Sequence, residues 1–396
     1  MTPDQQRAHL TRDADTVAPD DALAAKLAEG RPLRVKLGLD PTAPSVTLGW
    51  AVVLRKLAEF QELGHQAVLI VGDFTARVGD PSGRSETRKR LSEGEVRGYA
   101  EALLDQFDRV LDVSAAEVRY NSEWLGSLDM ADVLELTANV TVAQMLERED
   151  FAKRFDAHRP ISMMEFMYPL LQGYDSVAIE ADVELGGTDQ LWNLMMGRHL
   201  QGRYGQEPQV ALTMPLLVGT DGQQKMSQSL GNYIGVTDEP GDMFGKVMSI
   251  PDHLMADWYA HATSLPVDEV ARWRAALASG DVDPNEAKRN LGREVVALYH
   301  GTEAAEAAEA AFDALFKRGE IPDDVPEHAL GADDPVYLPA VLAAAGLVAS
   351  NGEARRLIDQ GAVRLAGDRV ETLEMPRSDL LGQVVQVGKR RFLRLV

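Results

Sequence analysis

The chain has 396 residues, 45% hydrophobic and 26% charged, a balance that suits a protein of two or three globular domains and excludes a disordered one. Acidic residues outnumber basic ones, 62 against 40, and the formal charge of −22 argues against a surface that binds nucleic acid everywhere. There is no cysteine, so disulfides, thiolate nucleophiles and cysteine-bound zinc are excluded, and the eight histidines show no metal-ligand spacing.

Residues 1–32 are polar, with apolar positions at Leu23, Ala24, Leu27 and Ala28 that predict helix. They lack the basic lead-in and apolar core of a signal peptide, and no apolar run reaches the length of a membrane span, so no membrane association and a cytoplasmic location are expected. Leu33–Leu39 alternates like a strand and is broken by Asp40-Pro41-Thr42-Ala43-Pro44. A helix is predicted from about Leu48 to Leu63, with a stripe at Val52, Val53, Leu57 and Phe60 and Gly64 as its stop. Gln66–Gly72 is a continuous apolar run, the pattern of a strand buried on both faces. Strand, helix, strand implies a parallel βαβ unit and an α/β domain. Helices are predicted through 92–158, strands within 176–186 and 208–218, and an Ala-rich helical region over 240–320. Residues 321–335 are rich in Pro and Asp, as a linker would be. Residues 335–396 hold nine bases against six acids, a balance of +3, which leaves −25 on the rest of the chain. A localised basic module therefore exists. Arg355 and Arg356 on one predicted helix, Arg364, and Lys389-Arg390-Arg391 near the end are its candidate RNA contacts, against the alternative of a solvated surface.

Four segments can carry chemistry. In FTARVGDPSGRSETRKR, Gly79, Pro81 and Gly83 form a turn followed by Arg84, Arg88, Lys89 and Arg90; this is either an anion site or an ordinary strand-to-helix turn. Tyr168, Gln172 and Asp175 are spaced by four and three, so on a helix they share one face. A Tyr-Gln-Asp stripe among Leu170, Leu171 and Val177 is poor core material and should bind something polar if it faces inward. Gly186-Gly187-Thr188-Asp189-Gln190 places an acid and an amide on a tight turn, suited to ribose hydroxyls and a carboxylate. Lys225-Met226-Ser227-Gln228-Ser229, between a strand and the helical region, is either a mobile basic phosphate clamp or a plain polar loop.

Taken in order, DPTAP, VLIVGDFTARVGDPSGR, YPLLQGYD, ADVELGGTDQ and KMSQSLGNYIGV resemble the bacterial-type tyrosyl-tRNA synthetases of class I, and EARRLIDQGAVRLAGDRV resembles the S4 RNA-binding module. The resemblance runs from about Lys36 to the C-terminus. It implies a Rossmann-like catalytic domain over 1–235 with an N-terminal helical extension, a helical domain resembling an anticodon-binding one over 236–325, a linker over 326–334 and a small α+β S4-like domain over 335–396. It implies that Asp80, Tyr168 and Gln172 hold the α-amino group of L-tyrosine, that Asp175 meets the phenol, and that Gln190 and Thr75 lie along the amino acid. Asp40, Thr42, Gly49 and the loop residues Lys225, Ser227 and Ser229 would border ATP or the adenylate, Gly187 and Asp189 the ribose, and Arg84 and Arg88 the pyrophosphate. Lys36 stands where some members carry a tyrosine in the phenol pocket. A buried partner for the phenol rejects phenylalanine, a rule for which tyrosine-activating enzymes are themselves the usual illustration. The implied partners are L-tyrosine, ATP with Mg²⁺ and tRNA(Tyr), with no tightly bound protein metal, in a homodimer whose interface would lie around 120–170. Tryptophan as substrate is a poor fit to the Tyr168, Gln172 and Asp175 pattern.

Two signatures depart from the family. Its His-x-Gly-His reads Thr47-Leu48-Gly49-Trp50, so two histidine donors to the triphosphate are replaced by a hydroxyl and an indole. Its Lys-Met-Ser-Lys-Ser carries Gln228 at the second lysine, a lost charge that should cost roughly 2–4 kcal/mol of transition-state stabilisation. Three readings follow: a tyrosine–tRNA ligase with altered ATP contacts, a tyrosine-binding paralogue without adenylation, or an S4-bearing RNA-binding regulator. Tyrosine-dependent pyrophosphate exchange separates them.

Overall fold

The computed structural model describes residues 1–81, 91–314, 325–388 and 391–396. They form two compact units, Met1–Ala305 and Glu306–Val396, which divide ahead of the boundary expected at 325.

In the first unit, α1 (Pro3–Leu10) begins on a Thr2–Gln5 capping box, and β1 (Thr16–Ala18) and α2 (Ala22–Ala28) follow. Then come β2 (Arg34–Leu39), α3 (Leu48–Glu62) and β3 (Gln66–Val71), the predicted βαβ unit. The stripe of α3 buries Leu48, Val52, Leu57 and Phe60 against the sheet, and Gly64, at φ +88°, closes the helix by donating to the Gln61 carbonyl at 2.9 Å. A helical turn α4 (Thr75–Val78), α5 (Glu93–Phe107) on a Ser92–Glu95 capping box, and β4 (Glu117–Tyr120) come next. Four further helices, α6 (Ser122–Leu125), α7 (Met130–Ala138), α8 (Val142–Met145) and α9 (Glu149–Asp156), lead to α10 (Met163–Ala178), which starts on a Ser162–Glu165 capping box. β5 (Val183–Gly187), α11 (Leu191–Arg203) and β6 (Val210–Met214) complete the sheet.

The strand order is β1-β6-β5-β2-β3-β4, parallel except for β1, which pairs antiparallel with β6 at the edge. After β4 the chain crosses back to lay β5 on the far side of β2. The strand order therefore reverses between β2 and β5, and ligands of open α/β sheets bind at the carboxyl ends of strands at such a point. The Ala-rich region is helical as expected: α12 (Pro240–Met248), α13 (Met255–His261), α14 (Val267–Ser279), α15 (Pro284–His300) and α16 (Thr302–Asp313). No helix among the described residues is long and apolar enough to cross a membrane.

Four sequence expectations need correction here. The stretch 176–186 is strand only in its last part, because α10 runs to Ala178 and β5 starts at Val183. Residues 92–158 contain β4, and residues 1–32 contain β1, both of which lie at sheet edges. The supposed linker 326–334 contributes a strand to the second unit, with Leu330 in its core.

That second unit is α+β. It comprises β7 (Glu327–His328), β8 (Val336–Tyr337), α17 (Leu338–Ala344), α18 (Asn351–Asp359), β9 (Val363–Leu365), β10 (Asp368–Arg369), β11 (Glu374–Met375), α19 (Arg377–Leu380), β12 (Val384–Val387) and β13 (Arg391–Leu395). The main sheet runs β10-β9-β12-β13-β7 and covers a core that includes Leu338, Leu342, Ile358, Val363, Val385 and Leu393.

Candidate active site

At the carboxyl ends of β2, β3 and β5 opens a cavity of about 1480 Å³. That exceeds the roughly 300–1,000 Å³ of a pocket for one small ligand and leaves room for two substrates.

One end of the cavity is built on α10. The four-and-three spacing does put Tyr168, Gln172 and Asp175 on one face, and all three line the cavity. Asp175 is 3% exposed, and its carboxylate accepts from Trp124 Nε1 at 2.8 Å and Asn121 Nδ2 at 3.2 Å. Burial pushes its pKa up to about 6, against the opposing pull of the Lys36 charge and of those two donors. Asn121 also donates to Thr75 Oγ1 at 2.9 Å, and Thr75 in turn donates to Asp40 Oδ1 at 2.7 Å. The second oxygen of Asp40 accepts from the Tyr168 hydroxyl at 3.0 Å. Burial, and then the Asp40 charge, hold the Tyr168 pKa well above the usual phenol value, so Tyr168 stays a donor. The approach of Asp40 and Thr75 needs a glycine at Gly72, where a Cβ would stand 2.1 Å from Asp40 Oδ1 and 2.4 Å from Thr75 Oγ1.

Gln172 leans toward Glu184 with Nε2 at 3.5 Å from Oε1, while its own Oε1 is buried without a partner among the described residues. That is an acceptor of the kind an ammonium group fills. Across the cavity, Gln190 donates from Nε2 to Asp80 Oδ2 at 3.0 Å, so an amide donor and a carboxylate acceptor stand side by side. Such a pair matches the carboxylate and ammonium of an amino acid.

Lys36 departs from expectation. It does not line the cavity; it is fully buried beneath α10, with Nζ at 2.8 Å from Glu184 Oε1, 2.8 Å from Ser176 Oγ and 2.9 Å from the Gln172 carbonyl. β2 is a central strand with helices on both faces, so its outward-pointing lysine must find a buried carboxylate. Lys36 thus tethers α10 at Gln172 and lies outside the cavity lining.

The other end is built from the first turn of α3 and the loop after β6. Thr42, Thr47, Gly49 and Trp50 line it. Thr47 spends its hydroxyl oxygen as the helix cap, accepting the Trp50 N–H at 3.3 Å. Trp50 is 39% exposed, with its ring tilted against Phe107 at 6.4 Å. The loop lies against this turn: the Gly49 N–H donates to Met226 Sδ at 3.3 Å, and Gln228 Nε2 donates to the Ser45 carbonyl. Ser227 N–H donates to Asn232 Oδ1 at 2.9 Å, and the Ser227 and Ser229 hydroxyls are 3.0 Å apart. Lys225 Nζ sits 2.5 Å from Asp189 Oδ2, next to Gly187, where a Cβ would meet Leu216 Cδ2 at 2.7 Å. Arg84 and Arg88 lie outside the described residues.

Sequence reasoning missed Asn121 and Trp124, which hold Asp175, and Arg148 and Asn193, which stand behind Asp80 and Gln190. The available signal was Asn121-Ser122-Glu123-Trp124 directly after a strand, but the strand itself, β4, went unrecognised.

In the second unit Arg355, Arg356, Arg364 and Arg391 are all exposed, and Lys389 and Arg390 lie outside the described residues. Arg355 lies over the Tyr337 ring at 5.5 Å. Arg364 shares a register row with Gln386 and Phe392, whereas Arg391 shares one with Val387 and the buried Val363 and donates to the Leu347 carbonyl. The two arginines therefore leave opposite faces of the sheet and do not form one patch.

A family model described as tRNA synthetases class I (W and Y) matches residues 28–317. A tyrosine–tRNA ligase of Moorella thermoacetica is 55% identical over 390 residues, covering 98% of this chain and 94% of the relative. One of Oleidesulfovibrio alaskensis is 49% identical over 397 residues, covering 100% of both. Among solved structures, the tyrosyl-tRNA synthetase of Archaeoglobus fulgidus complexed with L-tyrosine shares the fold with a TM-score of 0.64 at 24% identity, covering 78% of this chain and 99% of that one. A parallel sheet that reverses at β2 and β5, a cavity at that point, and full-length likeness to these relatives agree: the chain belongs to the class I tRNA synthetases of the tryptophan and tyrosine group, in its bacterial tyrosine–tRNA ligase branch.

Proposed function

We propose that this cavity activates L-tyrosine with ATP and that the chain then passes the tyrosyl group to tRNA(Tyr). The observation that carries the reading is one cavity holding a buried carboxylate for the phenol, Asp175, together with the amide–acid pair Gln190 and Asp80 for the amino-acid end. In the first step the tyrosine carboxylate oxygen attacks the α-phosphorus of ATP. The new O–P bond forms as the bond to the β-phosphate bridge oxygen breaks, and pyrophosphate leaves with the electron pair. A carboxylate is already a nucleophile, so no general base is needed, and catalysis is positioning plus charge stabilisation. Lys225 supplies that stabilisation from the protein side, Asp189 and Gly187 border the ribose, and Mg²⁺ enters with ATP as part of the substrate. In the second step a hydroxyl of the terminal tRNA ribose attacks the carbonyl carbon and AMP departs. The exposed arginines of the second unit support its role as an RNA contact. Exposed Met130, Leu134, Val142, Phe155 and Met163 support a homodimer interface within 120–170, in a cytoplasmic enzyme. Charging of tRNA(Tyr) with labelled tyrosine tests the reading; a protein that charges no tRNA with tyrosine would refute it.

The Asp175 carboxyl sets a pH dependence. Its two oxygens already accept from Trp124 and Asn121, so only the ionised carboxylate keeps both free of a proton for a third donor, the phenol O–H, and its pKa is raised to about 6. Tyrosine affinity is therefore expected to be flat above pH 7 and to fall about tenfold per pH unit below about 6, measured by calorimetry. A profile that stays flat to pH 5 would remove Asp175 from the phenol.

The altered signatures leave fewer donors around the phosphates: Thr47 offers one hydroxyl, Trp50 one indole N–H, and Gln228 is neutral with its amide N–H₂ turned to the Ser45 carbonyl. Thr47→His with Trp50→His and Gln228→Lys is expected to raise single-turnover adenylate formation about tenfold or more. An unchanged rate would show that these positions do not limit the step.

A further inference from the structure

Arg148 stands at the N-cap position of α9, makes no side-chain capping bond there, and is 5% exposed. Its guanidinium donates from Nη1 to Asn193 Oδ1 at 3.1 Å, lies 3.6 Å from Asp80 Oδ1 and 2.8 Å from Asp150 Oδ1, and faces the rings of Phe151 at 5.1 Å and Trp192 at 5.9 Å. Asn193 passes the contact on, donating from Nδ2 to Gln190 Oε1 at 2.9 Å, and Gln190 donates to Asp80 at 3.0 Å. Arg148, Asn193, Gln190 and Asp80 thus close a ring.

Two of its members are primary amides, which can turn either way, but arginine has only donors. Arg148 can engage only the carbonyl of Asn193. Asn193 must then offer N–H to Gln190, and Gln190 must accept with its oxygen and present its own N–H₂ to the cavity. We propose that Arg148 is a positioning residue that locks the polarity of this relay from the Asn193 end, as the acceptor-only Asp80 does from the other, so that Gln190 meets substrate as a donor and selects an amino acid with a free carboxylate. The proposal rests on the reading of the cavity as a tyrosine site. Arg148 also places a positive charge beside Asp80, which partly offsets the attraction of Asp80 for an ammonium group.

These two effects have opposite signs for two ligands. Tyramine keeps the phenol and ammonium of tyrosine and lacks the carboxylate. In the full-length chain, Arg148→Met is expected to weaken tyrosine binding about tenfold or more by calorimetry while tyramine binds unchanged or tighter. Asn193→Asp provides a second variant: it still accepts from Arg148 but has no N–H for Gln190, so the relay reverses and the same selective loss is expected. Equal weakening of both ligands would mean general distortion and would overturn the proposal, as would unchanged tyrosine binding in both variants. Failure of the unaltered chain to bind tyrosine would overturn the reading of the cavity itself.

Discussion

Asp175→Asn is expected to weaken tyrosine binding by roughly 10- to 150-fold while phenylalanine binding hardly changes, so that discrimination between the two shrinks by the same factor. The range follows from a hydrogen bond to a buried charged acceptor, about 1.5–3 kcal/mol. The asparagine keeps the volume but not the acceptor set. Trp124 Nε1 and Asn121 Nδ2 both donate to the Asp175 carboxylate, and a carboxamide offers them one oxygen while opposing the other donor with its own N–H₂. Asn121 cannot readily turn over, because its Oδ1 accepts the Phe74 N–H at 3.0 Å. The carboxylate also carries a cost to the empty fold. Its folded pKa of about 6 lies above the ordinary aspartate value of 3.8, so stability from this group is lost as pH rises between those values. Calorimetry with tyrosine and phenylalanine checks the prediction; equal changes for both ligands would place Asp175 away from the phenol.

Lys225→Ala is expected to lower the rate of adenylate formation about 10²- to 10³-fold with tyrosine affinity unchanged. That is the scale on which single preorganised donors to developing charge act. With Gln228 neutral, Lys225 is the basic side chain that the described part of this loop brings to the cavity. It rests on Asp189 at 2.5 Å, at 43% and 21% side-chain exposure for the two partners. An exposed pair of this kind holds weakly and can be exchanged for a nucleotide, with the lysine moving to the phosphates and the aspartate to the ribose. Rapid-quench measurement of adenylate formation, beside tyrosine titration, separates the expected loss in rate from a loss in binding.

Local pattern carried the parts of this molecule that local pattern can encode. The buried run Gln66–Val71, the stripe of α3 and the four-and-three spacing on α10 each follow from a single segment's periodicity, and each stands in the structure. What escaped was made by distant segments meeting. β1 is three half-buried residues defined by pairing with β6, and β7 is two residues defined by pairing with β13. β4 is half-buried throughout and has no continuous apolar run. Once β4 was missed, Asn121 and Trp124 could not be placed at its carboxyl end, although Asp175 depends on both. Arg148 carries no signal in the local pattern and is a buried partner of Asn193 and Asp80 only through tertiary approach. Lys36 showed the reverse: its motif position pointed to the phenol, and the double cover of a central strand turned it toward Glu184 instead.

The central claim is that this cavity makes tyrosyl-adenylate despite Thr47, Trp50 and Gln228 in its nucleotide signatures. Incorporation of labelled pyrophosphate into ATP by the unaltered chain tests it most directly. The account predicts exchange that depends on tyrosine and is absent with phenylalanine or tryptophan. Tyrosine bound by calorimetry with no exchange would contradict it.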